Sequence, residues 1–212
     1  MALHDERDAS IVHAFDGTTV ASSRSSMAKK KQQIPGIAGV PAFEGELVNV
    51  IIETSKGSRN KLAYDDERQL FQLKSVLPAG NVFPFDFGFV AGTRAEDGDP
   101  IDVLLLMDEP VPTGTLVPAR LVGVVEVEQN DDGKKVKNDR LLAVAAMSRD
   151  HRRLRDLPDL SPELLEEIEH FLCSYTALSD KKVKILRRGG RARARKLVRR
   201  AAAAVKSSKK QA

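Results

Sequence analysis

Residues Asp97-Gly98-Asp99-Pro100-Ile101-Asp102 place three carboxylates within six positions and then run directly into Val103-Leu104-Leu105-Leu106. Pro100 fixes the backbone just before the apolar run, and Asp-Gly-Asp is turn chemistry. Asp97 and Asp99 therefore belong on a turn and Asp102 at the start of a strand. A fold that accepts this segment must bring a tight acidic bend to the mouth of a buried strand. No Lys or Arg lies between Glu96 and Leu106, and carboxylates this close repel one another, so the bend calls for a cation. An all-oxygen donor set suits a hard divalent ion such as Mg2+. A plain hairpin turn would use the same residues with no ligand. A calcium loop of the EF-hand kind fits worse: Asp102 stands where its glycine is needed, Ile101 replaces a ligand, and a β-like run follows where a helix should.

The rest of the composition narrows the setting. At 212 residues, 42% hydrophobic and 30% charged, the chain predicts one principal globular domain with room left for tails. No apolar stretch approaches the roughly 20 residues of a membrane helix. The first twenty residues carry acids where a secretory signal is basic and then apolar, so a cytoplasmic location is expected. Cys173 has no partner for a disulfide and is expected to pack on the apolar side of a helix. His4, His13, His151 and His170 are scattered, which argues against zinc. Residues 187–212 hold eleven Lys or Arg and no acid, so the net charge of +4 leaves about −7 for the rest. Such a tail either contacts a polyanion or is a solvated helix with a frayed end, and the second is expected.

Three segments follow from the pattern: 1–42 disordered or extended, 43–188 a folded domain, 189–212 a basic C-terminal helix and tail. Within the first, residues 1–33 are polar and aperiodic, and Met27 is a second possible start. Val48, Val50 and Ile52 alternate with Asn49, Ile51 and Glu53, which puts Glu53 on the less apolar face of a strand. A hairpin is expected over 62–73, and strands over 103–107, 116–127 and 141–146, with a turn at Asn130-Asp131-Asp132-Gly133. Ser161 can cap and Pro162 can open a helix whose Leu164, Leu165, Ile168, Phe171, Leu172 and Tyr175 share one face. Val183 and Ile185 mark a last strand and 192–205 a second helix. Short strands this frequent predict a small barrel.

Two more segments keep company with the acidic bend: Lys56-Gly57-Ser58-Arg59-Asn60-Lys61 after the strand ending in Glu53, and Phe83-Pro84-Phe85-Asp86-Phe87-Gly88-Phe89. In this order, followed by a basic residue opening a strand and a late Tyr, the chain from about Glu46 to about Arg187 resembles the soluble family I inorganic pyrophosphatases. The resemblance implies an α+β fold, mainly β, with a five-stranded OB-like barrel and flanking helices. It implies Mg2+-dependent hydrolysis of inorganic pyrophosphate and a homo-oligomer. Neither a membrane nor a nucleic-acid partner is expected, because the Phe83–Phe89 aromatics are expected to pack around Gly88 and so are not offered to bases.

Carried over residue by residue, the resemblance makes Asp97 and Asp102 metal ligands, Asp99 a metal ligand and the acceptor of the water proton, and Glu53 and Asp139 further metal-site acids. Lys61, Lys74, Arg140, Tyr175 and Lys182 would bind phosphate, although Tyr175 also reads as core and lysines are mostly solvated. Several positions depart from the family pattern. Two expected tyrosines are Phe83 and Phe87, an expected acid is Ala63, Lys74 stands for an Arg, Arg140 for a Lys and Thr176 for a Lys. The acid expected two residues before Arg140 is Asn138, with Asp139 beside it, and another is Asn130 or is shifted to Asp131. A hydroxyl that bonds only the transition state is worth roughly 1–3 kcal/mol, about 5- to 150-fold in rate. A weakened enzyme, or a homologue that binds metal and a phosphorylated ligand or a partner without turnover, is the alternative expectation.

Overall fold

The computed structural model describes residues 36–131, 134–177 and 183–211. The expectations placed on residues 1–35, including the Met27 start, on Asp132-Gly133 and on Lys182 lie outside the described residues. After a 3-10 turn at Ile37–Gly39 come β1 (Phe43–Glu44), β2 (Leu47–Thr54), β3 (Asn60–Asp65), β4 (Leu70–Val76), β5 (Asp86–Val90), β6 (Asp102–Leu106), β7 (Leu116–Asp131), β8 (Lys134–Lys137), β9 (Arg140–Ala145), a second 3-10 turn at Leu157–Asp159, α1 (Pro162–Ala177), β10 (Val183–Gly190) and α2 (Arg191–Gln211).

Five of these strands close on themselves. β2 pairs with β5, β5 with β6, β6 with β9, β9 with β7, and β7 returns to β2, giving the expected five-stranded OB-like barrel. Closure leaves no free edge within the ring. All of these pairings are antiparallel except β6 with β9, where Val103 lies opposite Leu141 and Leu106 opposite Val144. The unbroken apolar run of β6 is explained by burial on both faces. Val103 and Leu105 join Val48, Val50, Ile52, Leu121, Val124 and Leu141 inside the ring, while Leu104 and Leu106 face Ile168 and Leu172 of α1 outside it.

The aromatic segment forms β5, a strand that periodicity does not reveal because all five of its residues are buried. Phe83, Phe87 and Phe89 are buried, and what lies closest to Gly88 is backbone: a Cβ there would stand 2.0 Å from the Ile51 carbonyl oxygen. β2 and β5 can approach only because that atom is missing. The β3–β4 hairpin forms a separate two-stranded sheet and packs Tyr64 and Phe71 beside Phe89.

α1 begins as its sequence predicts, with the Leu164 N–H donating to Ser161 Oγ at 3.2 Å and Pro162 in the first turn. Cys173 is a correction. It is exposed on α1 and does not pack, because the apolar stripe passes through Ile168, Phe171, Leu172 and Tyr175 and leaves it on the rim.

The basic C-terminal segment is a docked helix. Ala194 and Val198 of α2 enter the barrel cluster, and Asp156 accepts from the Arg191 N–H at 2.7 Å at the positive end of the helix. Its arginines are matched with acids of the body: Arg191 and Arg195 with Glu46, Arg200 with Glu96, and Arg193, together with Arg187 of β10, with buried Glu126. Both guanidinium groups bind Glu126 through two nitrogens, at 2.7–3.0 Å, and hold its carboxyl down at about 2. The charge asymmetry read from the sequence is thus consumed largely within the chain.

Glu126→Gln should lower unfolding stability by about 1.5–3 kcal/mol, the worth of charged hydrogen bonds. Because the folded value is depressed, this contribution is complete above 4.5 and is lost as pH falls towards about 2. The gap between wild-type and variant urea midpoints should therefore close on acidification over that range.

Candidate active site

One rim of the barrel gathers the acidic bend. Thr93 Oγ1 donates to the Val90 carbonyl at 2.6 Å and accepts from the Ile101 N–H at 3.1 Å, pinning the two ends of the β5–β6 connection together. Inside that clamp the Ala95 N–H donates to the Asp99 carbonyl at 2.7 Å, the Asp99 N–H to Asp97 Oδ1 at 3.2 Å, and Gly98 takes φ +94°. A positive φ at that tip suits glycine and makes the bend tight enough to present Asp97 and Asp99 together. Asp102 opens β6, as its position before the apolar run predicts.

Glu53 arrives from β2, where the register against β5 shifts between Ile52 and Thr54. Its side chain is buried, at 7% exposure, and accepts from the Tyr64 N–H at 2.7 Å. Burial, reinforced by the charge of Asp102, pushes the Glu53 carboxyl up to about 8 against the pull of the Tyr64 N–H and Lys61. Asp97 is also raised, by burial first and then by Asp99 and Asp102. At Asp102 burial raises the carboxyl while Arg140 and Lys61 oppose it. The charges of Asp99 and Asp102 thus bear on both Glu53 and Asp97.

The expected cations divide into two groups. Lys61 reaches the acids, and its Nζ lies 4.9 Å above the ring of Tyr175. Tyr175 is itself buried, stacked on Phe171 and tilted against Phe83, so its ring belongs to the core while facing Lys61. Arg140, opening β9, places Nη1 2.8 Å from Asp102 Oδ2. Lys74 instead lies on the exposed hairpin, donating to Gln72 at 3.3 Å near Asp65. Asp139 also turns away from the acids. It accepts from the Val127 N–H at 3.1 Å and lines a separate cleft of about 170 Å3 with Arg94, Lys137 and Arg200 beside α2. The reason is strand alternation: with Arg140 directed at Asp102, its neighbour must face the other side. Asn138 is the residue that approaches Arg140.

The family model for inorganic pyrophosphatase matches residues 50–206. The inorganic pyrophosphatase of Nostoc sp. is 35% identical over 140 residues, covering 66% of this chain and 80% of the relative. This chain belongs to the inorganic pyrophosphatase family. Among solved structures, the Thermus thermophilus inorganic pyrophosphatase superposes with TM-score 0.74 at 32% identity, covering 81% of this chain and 99% of that one. The Helicobacter pylori enzyme gives 0.72 at 31% identity, covering 79% and 98%. Family membership makes the acidic rim of the barrel the place to look for diphosphatase chemistry.

Where the family pattern has tyrosines, Phe83 and Phe87 are buried, with ring centroids 5.8 Å apart. Asp86 of the same segment is a clamp: it accepts from the Lys56 N–H at 3.0 Å and anchors the loop that leads to Lys61. Asn130 sits exposed on the β7–β8 arm opposite Lys135. Among the described residues, no three acids or histidines close around a single point. The donor set nevertheless fits Mg2+, which keeps several waters and needs only one or two carboxylates. Glu53, Asp97, Asp99 and Asp102 outnumber Lys61 and Arg140 by two charges when ionised, the charge of one divalent ion.

Glu53 carries a pH signature. Its folded value lies above the 4.5 of an ordinary glutamate, so its contribution is complete below 4.5 and is lost as pH rises through about 8. In chelator, the metal-free wild type should lose thermal stability across that interval, and Glu53→Gln should flatten the profile. Matching slopes in the two proteins would remove Glu53 as the source.

Proposed function

We propose that the chain hydrolyses inorganic pyrophosphate to two phosphates with Mg2+ as cofactor, the attacking nucleophile being a water activated at the acidic rim. The observation that supports this is that Asp97, Asp99, Asp102 and Glu53 lie at one rim, near enough for their charges to bear on one another beside Lys61 and Arg140, in a chain of this family. Asp97, Asp99, Asp102 and Glu53 would hold the ion, which when bound supplies charge neutralisation and a more acidic water. Asp99, the most exposed of the four, receives the proton of the attacking water. Lys61 stands over Tyr175 at the edge of the acids and meets an incoming phosphate oxygen. Asp97, bonded to the Asp99 N–H, holds that carboxylate at the tip of the bend. Lys74 and Lys182 complete the proposed phosphate contacts, and Lys74 must swing in from the hairpin to do so. Asp139, facing the other cleft, is left out of this proposal.

Purified protein with Mg2+ and pyrophosphate should release phosphate, and Asp99→Asn should cut the rate by about a hundred- to ten-thousand-fold, the usual range for a general base. Equal rates in the two proteins would end the enzyme reading. The substitutions at Phe83, Phe87, Ala63 and Thr176 favour a second reading, a homologue that binds metal and a phosphorylated ligand with little or no turnover. Calorimetry separates the two: saturable pyrophosphate binding with no phosphate release supports the second.

The proposal includes a cytoplasmic homo-oligomer. Leu70, Leu73 and Val76 of β4 are 63%, 58% and 53% exposed, an apolar surface that a second copy would cover. Light scattering should give a multiple of the 23.2 kDa chain, and Leu73→Lys should reduce it.

A further inference from the structure

The cleft of about 170 Å3 that Asp139 lines opens at the base of the acidic bend. Three elements wall it: the β5–β6 connection through Arg94 and Ile101, the corner between β8 and β9 through Lys137 and Asp139, and α2 through Leu197 and Ala201. Ile101 and Ala201 are buried and Leu197 half-buried, so the floor is apolar. A void of roughly 150 Å3 accepts a benzene ring, and a ring or a branched carbon body therefore fits here.

The charges on the walls do not balance. Arg200 is paired with Glu96 at 3.2 Å, which leaves Arg94, Lys137 and Asp139. Asp139 accepts from the Val127 N–H, and the charge of Lys137 bears on it through space. Among the described residues the Arg94 guanidinium has no hydrogen bond or ion pair; only its backbone is engaged, the N–H donating to the Ala201 carbonyl at 3.0 Å. One positive charge is left over, next to an apolar floor. A guanidinium fork takes a carboxylate through two nitrogens, whereas a dianion would bring Asp139 a second negative charge with no cation to match it. An occupant with one negative charge and a compact apolar body suits both the charge and the volume.

Two of the walls lead to the acidic rim. The Ala95 N–H holds the Asp99 carbonyl and Thr93 Oγ1 holds the Ile101 N–H, so the stretch beside the cleft is the base on which Asp97 and Asp99 stand. On the other side Asp139 adjoins Arg140, which reaches Asp102. We infer that this cleft is an effector site for a small organic acid, one carboxylate on a ring or branched carbon body, and that its occupant is coupled to cation binding at the rim. The bound acid sets a negative charge against Arg94 at the base of the bend, which strengthens the attraction of the rim for a cation. It also ties the β5–β6 connection to the β8–β9 corner, the two segments that carry Asp97, Asp99 and Arg140. The coupling is reciprocal. This inference rests on the metal-site reading above.

Benzoate is the probe, and the readouts do not involve turnover. Calorimetry on the full chain should show one saturable benzoate site with Kd on the order of a millimolar. Arg94→Gln should weaken it about tenfold, the loss of a charged contact. Ala204→Leu, which builds side chain into the cleft from an exposed position on α2, should abolish it. Benzyl alcohol has the ring without the charge and inorganic phosphate the charge without the ring, so each should bind about tenfold more weakly than benzoate. In electron paramagnetic resonance titrations without pyrophosphate, saturating benzoate should make the wild type bind Mn2+ about fivefold more tightly. The same benzoate should leave the Mn2+ affinity of Ala204→Leu unchanged, which separates coupling through the cleft from any effect on the ion in solution. Undetectable benzoate binding, equal binding in either variant, equal affinity for either control compound, or a Mn2+ affinity that benzoate does not move would overturn the inference while leaving the metal site intact. A chain that binds no Mn2+ with or without benzoate would end the metal reading and the inference together.

Discussion

The parallel pairing of β6 with β9 is the constraint on which the rim depends. It is the one parallel contact in a ring of antiparallel strands, and it sets two strand beginnings, Asp102 and Arg140, at the same level. The acidic bend then has only to turn through Gly98 to lay Asp97 and Asp99 above Asp102. Ring closure between β7 and β2 brings Glu53 to the same end. None of the four acids lies on a long flexible arm. Strand register places Glu53 and Asp102, and the Thr93 clamp with the Asp97 turn bond places the bend, which is why the site can tolerate repulsion that would spread free side chains apart.

That repulsion separates the rim from the rest of the molecule. Elsewhere acids are matched: Glu126 has two arginines, Glu46 has Arg191 and Arg195, Glu169 has Arg188, and Asp156 sits at the start of α2. Glu126 and Glu53 are similarly buried, yet one is held down at about 2 and the other pushed up to about 8. At Glu126 two guanidinium groups outweigh the cost of burial, while at Glu53 burial prevails and the charge of Asp102 adds to it. The same chain docks its basic helix against acids of the body, and among the described residues the cations whose charge bears on Glu53, Asp97 and Asp102 are Lys61 and Arg140.

Much of this arrangement could be read from local chemistry. The cap and apolar stripe of α1, the alternation that turns Glu53 out of the barrel interior, the β3–β4 hairpin and the bend before β6 are all set by residues within a few positions of one another. The failures are non-local. β5 has no alternation because both of its faces are covered, and Cys173 sits one step off a stripe whose edge depends on what α1 packs against. Asp139 is the acid beside Asn138, and it accepts from the Val127 N–H while Arg140 is directed at Asp102. The pairing of Arg140 with Asp102 spans 38 positions and a parallel contact, and no periodicity encodes it. Lys74 likewise reads as a phosphate ligand by order in the chain, while the register of the hairpin puts it near Gln72 and Asp65.

The departures from the family pattern differ from what unselected decay would leave. Loss of an active site ordinarily leaves holes and stranded polar groups, each costing stability. Here Phe83 is buried with its ring centroid 5.4–5.8 Å from those of Phe87, Phe171 and Tyr175, an aromatic cluster in place of polar contacts. Asn138 gives both of its oxygens to Arg140. Stability alone favours an amide over the acid at Asp97 and Glu53, since each has its charged form disfavoured by burial and by neighbouring acids. They remain. A cluster that is costly to the empty protein and fully solvable by an amide at either position is best explained by a ligand that repays the charge, and a divalent cation is the ligand whose charge and oxygen preference match it.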